Sequence, residues 1–360
     1  PPIKTEFVKN KVKIAVIFAG LLFAVFIFSQ SKQRAQTQIS TAGQKFKNIK
    51  VLNDMPAEEM GKVMNIMSAS LGVDCNFCHA GYEFEKDGKK EKETAREMLK
   101  MTFELNKNYF AGKLEISCNT CHRGQTHPQI VPNLNSIKTE ESPKQAEIKL
   151  TVEQILSKYE AALGGKKNLA KITSRYIKAS RLEPDGTSET EEVWQKSPDK
   201  FLVKTAYGDY IVTESFDGKN AWKRGNGDEI MLKPDETEQI RREAEIFANA
   251  NLKAIYPKME FGAIDKINGK EVYMVRATTA ENRREKLYFD AQTGLLVRRI
   301  ASTPTVLGSF QFQVDYAGYK NFGGVKLPVT TRFAVPNISW TRKILEVKNN
   351  ASIDDAKFIK

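Results

Sequence analysis

Hydrophobic and polar residues follow four different patterns along this chain, and each predicts a different kind of element. From Ile14 to Ser31 the chain runs 18 residues without a charge, "IAVIFAGLLFAVFIFSQS". As a helix rising about 1.5 Å per residue this run spans about 27 Å, close to the roughly 30 Å hydrocarbon core of a bilayer. From 51 to 128 apolar positions recur at helical spacing. One helix is predicted to open at Met55-Pro56, capped by Asp54 and with Glu58 and Glu59 in its first turn, and to run to about Ser70, stopping near Gly72. A second is predicted from about Glu91 to Tyr109, with Ala95, Met98, Met101/Thr102 and Leu105 on one face. Between them "EFEKDGKKEKE" reads as a solvated charged loop.

After residue 150 the period changes. An amphipathic helix is predicted from Leu150 to Leu163, ending at Gly164-Gly165. Ten short alternating runs follow, from Arg175–Arg181 to Thr330–Ala334, punctuated by turns such as Asp217-Gly218 and Gly323-Gly324. One long helix, about Glu236 to Lys253, interrupts them. The pattern predicts a multidomain chain: a transmembrane anchor over 1–34, a polar tether over 35–50, an all-α domain over 51–128, a linker over 129–149, and a mainly antiparallel β (α+β) domain over 150–360.

Charge sharpens the first of these. The net charge is +12, but residues 1–44 hold six Lys/Arg against one Glu, and no basic stripe interleaved with aromatics appears elsewhere, so no nucleic-acid partner is expected. Lys4, Lys9, Lys11 and Lys13 precede the apolar run and only Lys32 and Arg34 closely follow it. The positive-inside rule then gives a single-pass protein of the cytoplasmic (inner) membrane, with its N-terminus in the cytoplasm, the rest in the periplasm and lipid around the N-terminal helix. A cleaved signal peptide, with Arg34-Ala35-Gln36 near the cut, is the competing reading.

Cysteine usage carries the chemistry. Cys75-Asn76-Phe77-Cys78-His79 returns as Cys118-Asn119-Thr120-Cys121-His122, and the two stretches use all four cysteines and two of three histidines. Cys-x-x-Cys-His is the signature of covalent c-type haem attachment. Both thiols add across the haem vinyl groups, and the next residue meets the iron. Zinc would need the pairs closer together: 39 residues separate Cys78 from Cys118. A redox disulfide would need a thioredoxin-like βαβ setting, which is absent from the pattern. Neither explains a histidine after each pair. Two covalently attached haem c groups are expected, on Cys75, Cys78 and on Cys118, Cys121, with His79 and His122 as proximal iron ligands.

The distal ligands follow by elimination. His127 lies five residues past His122 and on the same side of that haem. Methionine is the remaining choice, and each helix before a motif carries several. Met64 is favoured over Met67 or Met60 for the first site and Met98 over Met101 for the second, with ordinary packing the fate of the others. His/Met ligation raises the potential and fills both axial sites, which suits electron transfer and not peroxidase chemistry.

The order of a Met-bearing helix, "LGVDCNFCH", a charged loop, "AREMLKMTFELNKNYF" and "SCNTCHRG" resembles the photosynthetic reaction-centre cytochrome c subunit family over residues 51–128. The resemblance implies axial Met64 and Met98 and a partner that is an integral membrane electron-transfer complex. The best-known members carry four haems, one with two histidine ligands; this chain has one pair of motifs and lacks that histidine. Residues 150–360, through "YFDAQTGLLVRRI" and "YKNFGGVKLPVTTRF", resemble the half-barrel of lipoprotein carriers, a curved antiparallel sheet closed by helices. The leading expectation is a non-enzymatic electron relay. It takes electrons from a soluble or quinol-linked donor and re-reduces the pigment pair of a photosynthetic reaction-centre core. The alternatives are a periplasmic carrier to a respiratory complex and a haem-containing protein that binds a hydrophobic ligand.

Overall fold

The computed structural model describes residues 40–129, 150–225, 228–232 and 251–359, with Thr237, Ile240, Arg241, Glu243 and Ala244. The expected membrane span Ile14–Ser31 and nearly all of the expected linker lie outside the described residues, among which no helix is long and apolar enough to cross a membrane. The chain divides into two compact units, Pro1–Glu58 and Glu59–Lys360.

In the first unit a helical turn, Ala42–Lys45, is tied back to the chain that follows it. The Ala42 N–H donates to the Met55 carbonyl (2.7 Å) and the Ala57 N–H to that of Ser40 (2.9 Å). These bonds hold residues 53–57 out of helical geometry, which corrects the expected start of the next helix. Asp54 does not cap it; a 3-10 turn, Ala57–Glu59, comes first, and Glu59 occupies the cap position.

The second unit opens with helix α1, Met60–Leu71, which ends at Gly72 in the left-handed region (φ 66°), as a glycine C-cap allows. Helix α2, Lys90–Tyr109, lies within a residue of its expected span. Its buried face differs from the expected one. Arg96, Leu99, Thr102 and Asn106 are buried, while Met98 and Met101 are 38% and 43% exposed. Polar residues can take the inner face because their groups are satisfied there: Arg96 pairs with Asp87 and Glu93, and Asn106 bonds the backbone of 115–116. A five-residue helix, α3 (Cys118–His122), packs against both α1 and α2.

Residues beyond 150 form helix α4, Val152–Leu163, and a 13-stranded antiparallel sheet. Thr151 caps α4 by accepting from the Gln154 N–H (3.3 Å). The strands are β1 Ser174–Leu182, β2 Ser188–Lys196, β3 Lys200–Tyr207, β4 Tyr210–Phe216, β5 Ala221–Gly225, β6 Asp228–Met231, β7 Lys258–Ile267, β8 Lys270–Thr278, β9 Arg284–Asp290, β10 Leu296–Thr305, β11 Gly308–Phe322, β12 Val325–Val335 and β13 Ile338–Asn349. Their order is β6-β5-β4-β3-β2-β1-β13-β12-β11-β10-β9-β8-β7. Two meanders are therefore joined where the first strand pairs with the last, and the two free edges, β6 and β7, are neighbours in sequence. The residues described between 237 and 244 are helical, and a short helix follows at Leu252–Ile255; the rest of the expected long helix lies outside the described residues.

Period-2 alternation sorts the sheet's side chains. On β3, Phe201 joins a core with Val193, Phe216, Ala221, Ile240 and Ala244, while its neighbour Leu202 points the other way, to Trp222, Ile353 and Phe358. Ile155, Tyr159 and Leu163 of α4 pack on Val275, Leu287, Phe289 and Leu296. The result is a half-barrel-like sheet with helices over one face and the C-terminal segment on the other.

Candidate functional site

The first motif begins at the end of α1. Asp74 accepts from the Asn76 N–H (2.9 Å) and starts a single 3-10 turn, Cys75–Phe77, and the His79 N–H closes it onto the Cys75 carbonyl (3.0 Å). Helical closure brings residues three and four apart to one side, so Cys75, Cys78 and His79 share a face. An open cleft of about 810 Å³ lies beside this turn, lined by Gly72, Asp74, Asn76, Phe77 and Lys89 among others. The half-buried His79 ring packs edge-on against Phe84 (centroids 5.2 Å apart). Burial, and then Lys92, hold its pKa below the ordinary value, which favours the neutral imidazole that a metal needs. Its Nδ1 is buried with no hydrogen-bond partner among the described residues, while a backbone hydrogen bond at Phe84 acts against the pKa shift.

The second motif is helix α3 itself. The Ser117 N–H donates to the Thr120 hydroxyl (3.0 Å), and the Thr120 N–H to the Ser117 carbonyl (3.0 Å), fixing its first turn. Arg123 ends it in the left-handed region (φ 50°). His122 Nδ1 donates to the Gln125 carbonyl (2.9 Å), a bond that fixes the ring and leaves Nε2 with its lone pair for a metal. The exit of this motif is locked to α1: the Gly124 N–H donates to the Ser70 carbonyl (2.8 Å), and a Cβ on Gly72 would lie 2.2 Å from the Gly124 carbonyl oxygen.

All four cysteines are free thiols, and burial raises the pKa of Cys78 and Cys118. Among the described residues no three His, Cys, Asp or Glu side chains converge, so the two Cys pairs do not build one tetrahedral metal site. The residues do fit two separate haem attachments. Each motif is a helical turn with both thiols and the imidazole on one side, and each imidazole is held by a neighbour, His79 by Phe84 and His122 by Gln125. Met60, Met64 and Met67 are half-buried on α1, and Met98 and Met101 stand on the open side of α2. Because α3 packs on both helices, the second motif lies next to both methionine-bearing segments. His127 is exposed beyond it.

Three supporting residues were not foreseen: Phe84, Arg96 and Asn106. A polar pair four apart inside an apolar stripe, Thr102 and Asn106, was the available signal for one of them. The loop "EFEKDGKKEKE" is also less idle than its composition suggests. Asp87 pairs with Lys92 (3.0 Å) and with the buried Arg96 (2.9 Å), and Lys86 with Glu83 (2.6 Å).

Two Cys-x-x-Cys-His turns with oriented histidines form the donor set of a c-type cytochrome. Residues 23–162 match the family of photosynthetic reaction centre cytochrome C subunits, a longer stretch than the motifs alone delimit. The photosynthetic reaction center cytochrome c subunit of Roseobacter denitrificans is 29% identical over 93 residues, which are 23% of this chain; the match spans 25% of that relative's length. The structure is also similar to a LolA superfamily protein from Nitrosomonas europaea (12% identity, TM-score 0.42, covering 59% of this chain and 98% of the other). A DUF1329 family protein from Desulfovibrio piger is similar to the same degree (9% identity, TM-score 0.42, covering 57% and 96%).

The sheet domain encloses a cavity of about 160 Å³ under α4. Its lining is mainly apolar and aromatic, with charged groups set into it. Arg175, Glu243, Arg299, Tyr316 and Arg342 reach it beside Leu163, Val314 and Val325. Arg342 pairs with the buried Glu191, and Arg299 with Glu285 (3.4 Å), which also accepts from the Tyr256 hydroxyl (2.5 Å). Burial lowers the pKa of Arg175 to about 10.

Proposed function

We propose that the chain is a membrane-anchored dihaem c-type cytochrome that relays electrons to the core of a photosynthetic reaction centre. It would take them from a soluble or quinol-linked donor on the periplasmic side and return them to the photo-oxidised pigment pair. The observation that carries this reading is the pair of complete attachment turns, each with its imidazole held by a neighbour, inside a segment that matches the reaction-centre cytochrome family.

Each haem, when bound, would supply a one-electron iron couple. The chain's own residues do the rest. Cys75 and Cys78, and Cys118 and Cys121, fix the group by two thioethers each. His79 and His122 would present their imidazoles to the iron, and the Gln125 carbonyl orients the second. Met64 and Met98 would supply the remaining iron ligands, which suits electron transfer rather than oxygen or peroxide chemistry. The apolar run Ile14–Ser31 is the membrane anchor that keeps the relay beside its acceptor, so transfer does not wait on diffusion from bulk solution.

A flash experiment on native membranes tests the main proposal. Haem α-band bleaching should follow pigment oxidation, and pigment re-reduction without any haem signal would overturn it.

A further inference from the structure

Helix α2 holds the loop that leaves the first motif and the reversal that enters the second, through side chains that no attachment chemistry requires. Near its N-terminus, Lys92 Nζ donates to the carbonyls of Phe84 and Lys86 (both 2.9 Å) and pairs with Asp87 (3.0 Å). One turn on, Arg96, only 7% exposed, grips Asp87 (2.9 Å) and Glu93 (2.8 Å). These bonds tie down the loop that leaves the first motif, including the residue whose ring packs on His79. Lys89, just before α2, donates to the Asn76 carbonyl inside the motif itself.

Near the other end, Asn106 is 6% exposed and has its full bonding capacity filled. Its Nδ2 donates to the carbonyls of Thr102 (3.0 Å) and Ile116 (2.7 Å), and its Oδ1 accepts from the N–H groups of Glu115 and Ile116 (both 2.9 Å). Its own carbonyl accepts from the Phe110 and Gly112 N–H groups (3.1 and 3.0 Å). The reversal 110–117 that delivers Cys118 is thus fastened to α2 at Asn106, by the side chain at 115–116 and by the carbonyl at Phe110 and Gly112. Met98 lies two turns before Asn106 on the same rigid helix.

Resting on the dihaem reading above, we propose that α2 is a two-ended clamp in which Arg96 is a positioning residue for the first haem and Asn106 for the second. A helix is stiff, and each end is fastened by buried, satisfied polar groups to a different motif. The spacing between the sites and the reach of Met98 to the second iron are therefore set by one element. Loosening one end disturbs one site and leaves the other nearly as it was. For Asn106 the disturbed coordinate is the distance between the Met98 thioether and the motif it faces. For Arg96 it is the Asp87 end of the loop that carries Phe84, whose ring packs on His79.

The test is a potentiometric titration of the holoprotein, read by optical and electron paramagnetic resonance spectra, on Asn106→Ala, Arg96→Leu and the double variant. Asn106→Ala should lower one midpoint enough to change the oxidised-to-reduced ratio at fixed potential about tenfold and weaken the methionine–iron charge-transfer band of that component. Arg96→Leu should move the other component, and the double variant both. Asn106→Asp, which keeps the acceptor but loses the donor, should restore part of the shift. Asp87→Asn removes the Arg96 and Lys92 ion pairs without emptying the core, and it replaces Arg96→Leu should that variant not fold. If both variants move the same component, or neither moves while both melt lower, α2 is only a structural strut and the inference falls alone. A wild-type chain that carries no covalent haem overturns the dihaem reading and this inference together.

Discussion

The two Cys-x-x-Cys-His stretches differ at only one position, Phe77 against Thr120, yet the protein folds them differently. The first is a 3-10 turn capped by a carboxylate, and its histidine is steadied by a ring. The second is an α-helical turn packed between two longer helices, with its histidine steadied by a hydrogen bond. One identical chemical instruction is thus read in two mechanical settings. The bond from His122 Nδ1 makes that imidazole a stronger donor, which would favour oxidised iron at the second site.

The largest test of that contrast is to remove each attachment in turn. Cys75→Ser with Cys78→Ser, and Cys118→Ser with Cys121→Ser, should each halve the haem per chain in a pyridine haemochrome assay. They should differ in melting temperature. The second pair removes a group from beside α1 and α2 and should lower it more, while the first empties an open cleft. Equal melts would break the contrast. Next in size is Gly72→Ala. A methyl there meets the Gly124 carbonyl oxygen at 2.2 Å, and its backbone sits at φ 66°. Loss of about 1–3 kcal/mol is expected from the strain. The effect should reach the second motif although the glycine precedes the first, seen as a change in the His122 haem spectrum. Met64→Leu and Met98→Leu come third. Each conserves volume, so stability should fall by less than about 1.5 kcal/mol, while each lowers one midpoint and abolishes one charge-transfer band. A variant that leaves both bands intact would hand the ligand role to Met67 or Met101.

How much of this was readable beforehand depends on where the determining partner lies. The proposed attachment chemistry lies within five consecutive residues, so both candidate sites could be written from the sequence alone as Cys, Cys and His. The strands with clean alternation, such as Lys200–Thr205, were legible for the same reason. Strand β13 was not: "ISWTRKILEVKN" has no buried residue, so it lacks the alternation that marks a strand, yet it joins the two meanders. Strand β7 was hidden by a register shift between Phe261 and Ala263, which breaks the period in mid-strand. The face of α2 was misassigned because Arg96 and Asn106 look like surface residues until their partners at Asp87 and Ile116 are known. Those partners are reached by loops, and periodicity says nothing about where a loop returns.

The smallest expected effects come from the caps, and they sharpen the comparison most directly because they alter neither haem ligands nor core. Asp74→Ala removes the acceptor for the Asn76 N–H at the start of the first turn. Thr120→Val removes the acceptor for the Ser117 N–H in the second. Loss of a cap costs about 0.5–2 kcal/mol, toward the low end where water can replace the lost partner. Both bonds are exposed, so both losses should be small. Their consequences should still diverge. The first turn is held by its cap, its own backbone closures and the Lys89 bond to the Asn76 carbonyl, so Asp74→Ala should broaden the first component of the titration. The second turn is also held by α1, α2 and the Gly124–Ser70 bond, so Thr120→Val should lower the melt slightly and leave both midpoints unchanged. A shifted second midpoint in Thr120→Val would mean that tertiary packing does not hold the second turn and that both motifs depend on their local caps alike.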